Sequence, residues 1–373
     1  MGALQQLFAQ HGADYIERFD AIPGHHKKVI GAIGRCRSAQ AGSTLYQCQA
    51  CAKPHVIARG CGNRHCAGCQ HHKTQAWLAC QLARQLPGHH FMLTFTVPES
   101  LRAFLRSHQR IGYAALFEAS AAAIKKLASD PRFFGGEMPG FLGVLHTWGR
   151  QLQYHPHLHY LVPGGALSAS DRQWHASSPG FYLPVRALSV IFRGKFRDAM
   201  AAQGLLGDSP SQTWDTEWNV NCQAVGDGQA TLAYLARYVF KVAISEQRIV
   251  SIDDQQVTFR YRKVHSNRPR TMTLPIAEFM RRFLQHVLPT GFVKVRYFGF
   301  LSPNCAVPLE EVKARIERAH GFAQAQASIE VEPREPMRCA HCGALLRFVR
   351  VSAPMRVRPL VQSSNRLVPY SGP

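Results

Sequence analysis

The chain has 373 residues, 46% of them hydrophobic, which is enough for two or three packed domains. Lys+Arg 44 against Asp+Glu 23 leaves a formal charge of +21, a balance that suits a polyanionic partner, the nucleic-acid phosphate backbone first among them. No apolar run approaches the length that spans a bilayer, and residues 1–10 lack the basic head and apolar run of a signal peptide, so no membrane partner and a cytoplasmic location are expected.

Residues 1–34 read as a helical lead-in, with Ile16, Phe19, Val29, Ile30 and Ile33 spaced among polar residues and a break at Pro23-Gly24. Residues 36–72 carry little apolar content beyond Leu45, Val56 and Ile57. Such a stretch does not fold on hydrophobic burial alone, which is the situation of a small zinc module. Seven of the 11 cysteines fall in the first eighty residues, and in a reducing compartment that clustering reads as metal ligation. Cys48-x-x-Cys51 and Cys66-x-x-Cys69, fourteen residues apart, have the spacing of a four-thiolate Zn2+ site. Cys36, His55, Cys61 and His65 remain as a possible second tetrahedral set. The loop from Arg59 to His65 is basic and punctuated by glycine, which suits phosphate contacts and makes Arg59, Asn63 and Arg64 candidate DNA-binding residues.

A helix is expected from Lys73 to Gln85. The run Phe91–Val97 predicts a strand stopped by Pro98, followed by a long helix from Ser100 to Ser129 that Pro131 ends. Strands are expected at Leu142–Trp148 and from Tyr154 to Val162, then a helix over 184–202 and a strand over 214–222. Residues 229–241 read as helix, 257–262 as a hairpin strand and 276–287 as helix again. Strands mixed with helices, without regular β-α-β alternation, predict an α+β fold with an antiparallel sheet and flanking helices behind the zinc module. The expected divisions are a zinc-binding DNA-recognition domain over 1–85, the main domain over 86–302, and a C-terminal extension over 303–373. That extension contains Cys339-x-x-Cys342, half a metal site, and a Pro/Arg/Ser tail whose composition predicts disorder.

Two constellations carry chemistry. In Tyr-His-Pro-His-Leu-His-Tyr (154–160), strand alternation sends His155, His157 and His159 to one face. Imidazoles two residues apart can then converge on one divalent ion. A lone His-x-His is weak evidence, because 19 histidines supply about one by chance. In Tyr234-Leu-Ala-Arg-Tyr238-Val-Phe-Lys241, tyrosines four apart share a helix face, and Lys241 lies on nearly the same face. Alone, that pair reads as an aromatic core stripe. Beside a His-x-His strand in a basic chain, a phenol attacking a phosphodiester would conserve the bond as phosphotyrosine, so that the strand can be rejoined without ATP. Lys241 would stabilise phosphate charge or lower the phenol pKa, and Arg237 is a further DNA-contact candidate.

The order of motifs resembles the insertion-sequence 91 family of transposases, the two-tyrosine branch of the HUH (His-hydrophobic-His) nucleases. The resemblance rests on residues 61–70 (Cys-Gly-Asn-Arg-His-Cys-Ala-Gly-Cys-Gln), 145–149, 154–159, 234–239, 243–245, 281–289 and 297–301, and it covers Cys36 to Pro303. It implies a zinc-finger DNA-binding domain, an HUH nuclease domain, and rolling-circle-like transposition of single-stranded DNA. By position, it makes His157 and His159 the motif histidines and Tyr234 and Tyr238 the nucleophiles, with Mg2+ or Mn2+ as catalytic ion. The third ligand is left open between His146, on a neighbouring strand, and His155. Glu246-Gln247 depart from the small or basic residues expected after Ala-Ile-Ser. Rival readings are a replication initiator or relaxase of the same chemistry, and a zinc-dependent DNA-binding protein without catalysis.

Overall fold

The computed structural model describes residues 2–240, 243–263, 268–321 and 336–353. The expectations for Lys241 and for the tail beyond Ala353 therefore fall outside the described residues. Along the chain, α1 (Ala3–Arg18) and α2 (Gly24–Gly34) precede β1 (Ser43–Cys48), β2 (Pro54–Ala58) and α3 (His71–Ala83). Then follow β3 (His90–Thr96), α4 (Arg102–Ser107), α5 (Gln109–Ala128), β4 (Phe141–Trp148), β5 (Tyr154–Pro163), β6 (Gly165–Leu167) and β7 (Trp174–Ala176). The chain continues through α6 (Val185–Ala202), β8 (Asn219–Ala224), α7 (Gln229–Val239), β9 (Ile249–Ile252), β10 (Gln256–Arg262), β11 (Pro269–Pro275) and α8 (Ile276–Leu284). It ends with β12 (Val295–Phe298), α9 (Leu309–His320) and β13 (Leu346–Ser352).

Two compact units result. Of the described residues, the smaller combines Arg35–Cys61 with 336–353; the larger holds Gly2–Gly34 and those from Gly62 to Gly321. This differs from three consecutive segments. β13 pairs antiparallel with β1, Cys48 opposite Leu346, so the C-terminal region forms one sheet, β13-β1-β2, with the cysteine hairpin.

In the larger unit the central sheet is antiparallel throughout, in the order β12-β4-β5-β3-β8. Alternation along its strands separates two faces. Phe91, Leu93 and Phe95 of β3, Phe141 and Leu145 of β4, and Leu158, Tyr160 and Val162 of β5 join one core with residues of α5 and α6 such as Phe117, Leu188 and Phe192. Gly143 has no side chain because Tyr160 leans across it: a Cβ there would stand 2.4 Å from the ring. The Tyr160 hydroxyl reaches Ser120 Oγ at 2.6 Å. On the opposite face Leu142, Val144 and Leu161 bury Leu232, Leu235 and Val239 of α7, each such side chain contributing about 1.5–3 kcal/mol. Gly228 caps the start of α7; its φ of 81° glycine adopts without strain, and the His90 ring packs against it.

The expected helix over 100–129 is two helices, because the chain leaves helical geometry at His108 (φ −116°, ψ 42°). The strand expected over 214–222 begins only at Asn219. Trp214 and Trp218 instead stack in the turn before it, the Trp218 indole N–H bonding the Thr213 carbonyl at 3.1 Å.

Candidate active site

The register of the central sheet assembles a histidine cluster on the face that α7 covers. β4 and β5 place His146 opposite His157, and β3 places Thr94 opposite His159. The ring centroids lie 5.2 Å apart for His146–His157, 4.5 Å for His146–His159 and 4.9 Å for His157–His159. One ring nitrogen of each lies within 4.8 Å of the others. Burial keeps all three rings neutral: His146 and His157 are held well below the ordinary imidazole range, first by desolvation and then by neighbouring histidines, and His159 is pushed down to about 4.

Hydrogen bonds on the far sides orient two of the rings. His157 Nδ1 donates to the carbonyl of His155 at 2.6 Å, and His159 Nδ1 meets Thr94 Oγ1 at 3.0 Å. Both arrangements leave Nε2 to face the cluster. His146 Nε2 is buried without a hydrogen-bond partner. A buried orphan nitrogen between two other imidazoles suits a divalent cation, and an all-imidazole set suits manganese or zinc better than magnesium. His155 is outside this group: its ring nitrogens do not share the common reach of the other three, and its carbonyl holds the His157 ring. The cross-strand partner His146 takes the third place because pairing sets it directly opposite His157.

The tyrosines of α7 face the same cluster. The Tyr238 ring lies 4.4 Å from that of His146, Tyr234 lies 6.1 Å from His159, and the two tyrosines are 4.8 Å apart. Tyr234 is 37% exposed, so this site opens to solvent. Burial, and next the neighbouring Tyr238, raise the Tyr234 phenol above its usual range.

Thr94 and Lys294 carry no motif, and sequence reasoning missed both. Lys294 precedes β12, with its Nζ donating to the Tyr238 carbonyl at 2.7 Å and lying 5.6 Å over the Trp148 ring. Burial, with the Arg64 charge adding, pushes this ammonium down to about 7. The alternation Val293-Lys-Val-Arg-Tyr297 is the one signal that a strand would place it there.

Two of the residues expected to contact DNA are hydrogen-bonded within the larger unit. Arg64 donates to the carbonyls of Phe292 (2.6 Å) and Pro289 (3.0 Å), and Asn63 Oδ1 accepts the His65 N–H at 2.8 Å while its carbonyl accepts from Gln70. Arg59 and Arg237 are exposed.

The thiolate pairing also differs from expectation. Cys48 and Cys51 face Cys339 and Cys342 within the smaller unit, not Cys66 and Cys69. His55 Nε2 lies 3.2 Å from Cys339 Sγ, and His65 is buried with its ring beside Arg64, so neither histidine joins a ligand set among the described residues. Cys36 and Cys61 lie together in the smaller unit, the Cys61 N–H reaching Cys36 Sγ at 3.4 Å. Cys66 and Cys69 close a turn in the larger unit, the Cys69 N–H bonding the Cys66 carbonyl at 3.2 Å. No described helix is long and apolar enough to cross a membrane.

Residues 140–307 match the family model described as "Putative transposase", and residues 7–97 match that of a transposase zinc-binding domain. The chain is 36% identical over 315 residues to "Putative transposase y4qJ" of Sinorhizobium fredii, covering 79% of each chain. It is 27% identical over 365 residues to the transposase for insertion sequence element IS801 of Pseudomonas savastanoi pv. phaseolicola, covering 87% of this chain and 83% of the relative. No solved structure matches it.

Proposed function

The chain belongs to the insertion-sequence 91 family of transposases, and from that premise we propose that it cleaves and rejoins single-stranded DNA at transposon ends through a 5′-phosphotyrosine intermediate. The observation that carries this reading is the placement of both α7 tyrosines beside the three-histidine cluster. His146, His157 and His159 would hold the Mn2+ or Mg2+ ion, whose charge polarises a non-bridging phosphate oxygen when bound. The His155 carbonyl keeps His157 aimed and in one tautomer, and Thr94 Oγ1 keeps His159 aimed. The phenol oxygen of one tyrosine forms a bond to phosphorus while the bond to the 3′-oxygen breaks, leaving a free 3′-hydroxyl and a 5′-phosphotyrosine. A 3′-hydroxyl attacking that linkage reverses the step and restores the phenol, so no energy source is consumed.

With two tyrosines, one holds a cleaved strand while the other attacks the next junction. The solvent-facing edge of α7 carries Tyr234 and Arg237, where a strand and its phosphates would enter. The zinc-binding domain would recognise DNA through basic residues such as Arg59.

The test is incubation of the protein with a labelled single-stranded transposon end and Mn2+ or Mg2+, followed by a denaturing gel. A labelled band at the mass of protein plus DNA is expected, and it disappears in the Tyr234→Phe/Tyr238→Phe variant. An adduct that persists in that variant assigns the nucleophile elsewhere; a protein that binds the DNA but never forms an adduct is a DNA-binding protein without catalysis.

A further inference from the structure

Cys339 and Cys342 lie outside both segments that match the transposase family models, 7–97 and 140–307. In the smaller unit they meet Cys48 and Cys51, with Cys48 Sγ 3.4 Å from Cys342 Sγ and Cys51 Sγ 3.7 Å from Cys339 Sγ. All four sulfurs lie within 4.8 Å of one another. A tetrahedron with Zn–S bonds of about 2.3 Å has S···S edges of about 3.8 Å, so this is the spread that one ion requires.

The two Cys-x-x-Cys turns share one backbone plan. Cys48 N–H bonds the carbonyl of Lys53 at 3.0 Å, and Cys339 N–H bonds that of Ala344 at 2.8 Å, five residues on in each case. The residue after each second cysteine takes a left-handed conformation, Ala52 at φ 58° and Gly343 at φ 74°. Backbone N–H groups then point at sulfur: Cys51 N–H at Cys48 Sγ and His341 N–H at Cys339 Sγ, both 3.4 Å. An amide N–H aimed at sulfur favours the thiolate form that a metal takes. His55 Nε2, 3.2 Å from Cys339 Sγ, adds a further donor. Non-glycine residues reach positive φ only at a cost, so Ala52 in that conformation marks a turn held for a reason beyond its own stability.

We infer that Cys48, Cys51, Cys339 and Cys342 hold one structural zinc ion, so that the cysteine hairpin of β1 and β2 is closed by a segment distant from it in sequence. The bond that completes it is made by a C-terminal segment that also supplies the third strand, β13, to the sheet of β1 and β2. A chain trimmed to the two family-matched segments would keep every residue of the histidine–tyrosine site yet lose half of these ligands. Cys48 and Cys51 are synthesised well before Cys339 and Cys342, so this metal site matures only once the later pair has been made.

The experiment uses the full-length protein after dialysis against a weak chelator. Zinc content by mass spectrometry is expected to fall by one equivalent per chain in Cys339→Ser/Cys342→Ser and to stay at the wild-type level in Cys80→Ser, which removes an exposed helical thiol. Because the double variant could lose metal by misfolding, the wild-type protein is also alkylated with and without a strong chelator, and the modified cysteines are mapped. Cys339 and Cys342 are expected to resist alkylation together with Cys48 and Cys51, and all four to become reactive when zinc is stripped. Unchanged zinc content in the double variant, alkylation of Cys339 and Cys342 at the rate of Cys80 in zinc-loaded protein, or recovery of these thiols as disulfides would each overturn the inference. None of these readouts involves DNA cleavage, so their failure leaves the catalytic proposal standing.

Discussion

Replacing Thr94 with valine removes one hydrogen-bonding atom from the candidate site and almost no volume. Thr94 Oγ1 meets His159 Nδ1 at 3.0 Å, while the corresponding partner of His157 is a backbone carbonyl that no substitution can delete. Thr94→Val therefore isolates the support of a single ligand. His159 is 7% exposed, so water has little access to replace the lost hydroxyl, and a buried ring nitrogen left unpaired costs about 1–3 kcal/mol. Freed of that contact, the imidazole can also flip or change tautomer, and loss of such an outer partner typically weakens metal binding 10–100-fold, about 1.4–2.8 kcal/mol. The two routes to a magnitude agree. The assay is calorimetric titration of Mn2+ into protein stripped of its weakly held metal, with the rate of covalent adduct formation measured at saturating Mn2+. Thr94→Ser keeps the hydroxyl and should bind within about three-fold of wild type, a margin well under one decade of affinity. Thr94→Val binding Mn2+ as tightly as wild type, or Thr94→Ser binding as weakly as Thr94→Val, would refute the argument that this hydroxyl orients His159.

Single Tyr234→Phe and Tyr238→Phe changes should each block complete transposition in cells, and the double change should abolish the adduct while leaving single-stranded DNA binding within about two-fold, since the rings that stack on bases remain. Arg64→Lys should destabilise the larger unit by about 1–2 kcal/mol, because an ammonium cannot span the carbonyls of Phe292 and Pro289, with no change in DNA affinity; a loss of affinity at unchanged urea midpoint would restore Arg64 as a DNA contact. His90 is buried and pushed down to about 4, chiefly by desolvation. Its folded pKa lies below the unfolded value near 6.5, so its contribution is fully present above that value and is lost as pH falls toward 4. Between pH 7.5 and 5 that amounts to about 2 kcal/mol, and His90→Gln should flatten the acid limb of urea midpoints by this much; an identical slope in the variant would rule His90 out as its source.

Period-two and period-four patterns are local, and what they encode was legible in the chain. Alternation in 154–160 puts His157 and His159 on one face whatever they pack against, and the four-residue interval puts Tyr234 and Tyr238 on one side of α7. A Cys-x-x-Cys turn is local in the same way, so each half of the thiolate site could be found. Which halves meet is a different question. Fourteen residues separate Cys51 from Cys66, yet Cys48 and Cys51 sit with Cys339 and Cys342, because β13 pairs with β1 and carries its turn to the end of that hairpin. Strand register likewise decided the histidine site. His146 became the third member of the cluster, and Thr94 the support of His159, by standing opposite them across β4 and β3. Lys294 reached the Tyr238 carbonyl only because β12 adds to the β4 edge of the same sheet. Side-chain direction along one strand or helix follows from backbone geometry alone. Neighbours across strands are chosen by the burial and hydrogen bonding of the whole sheet, and only the tertiary structure contains that choice.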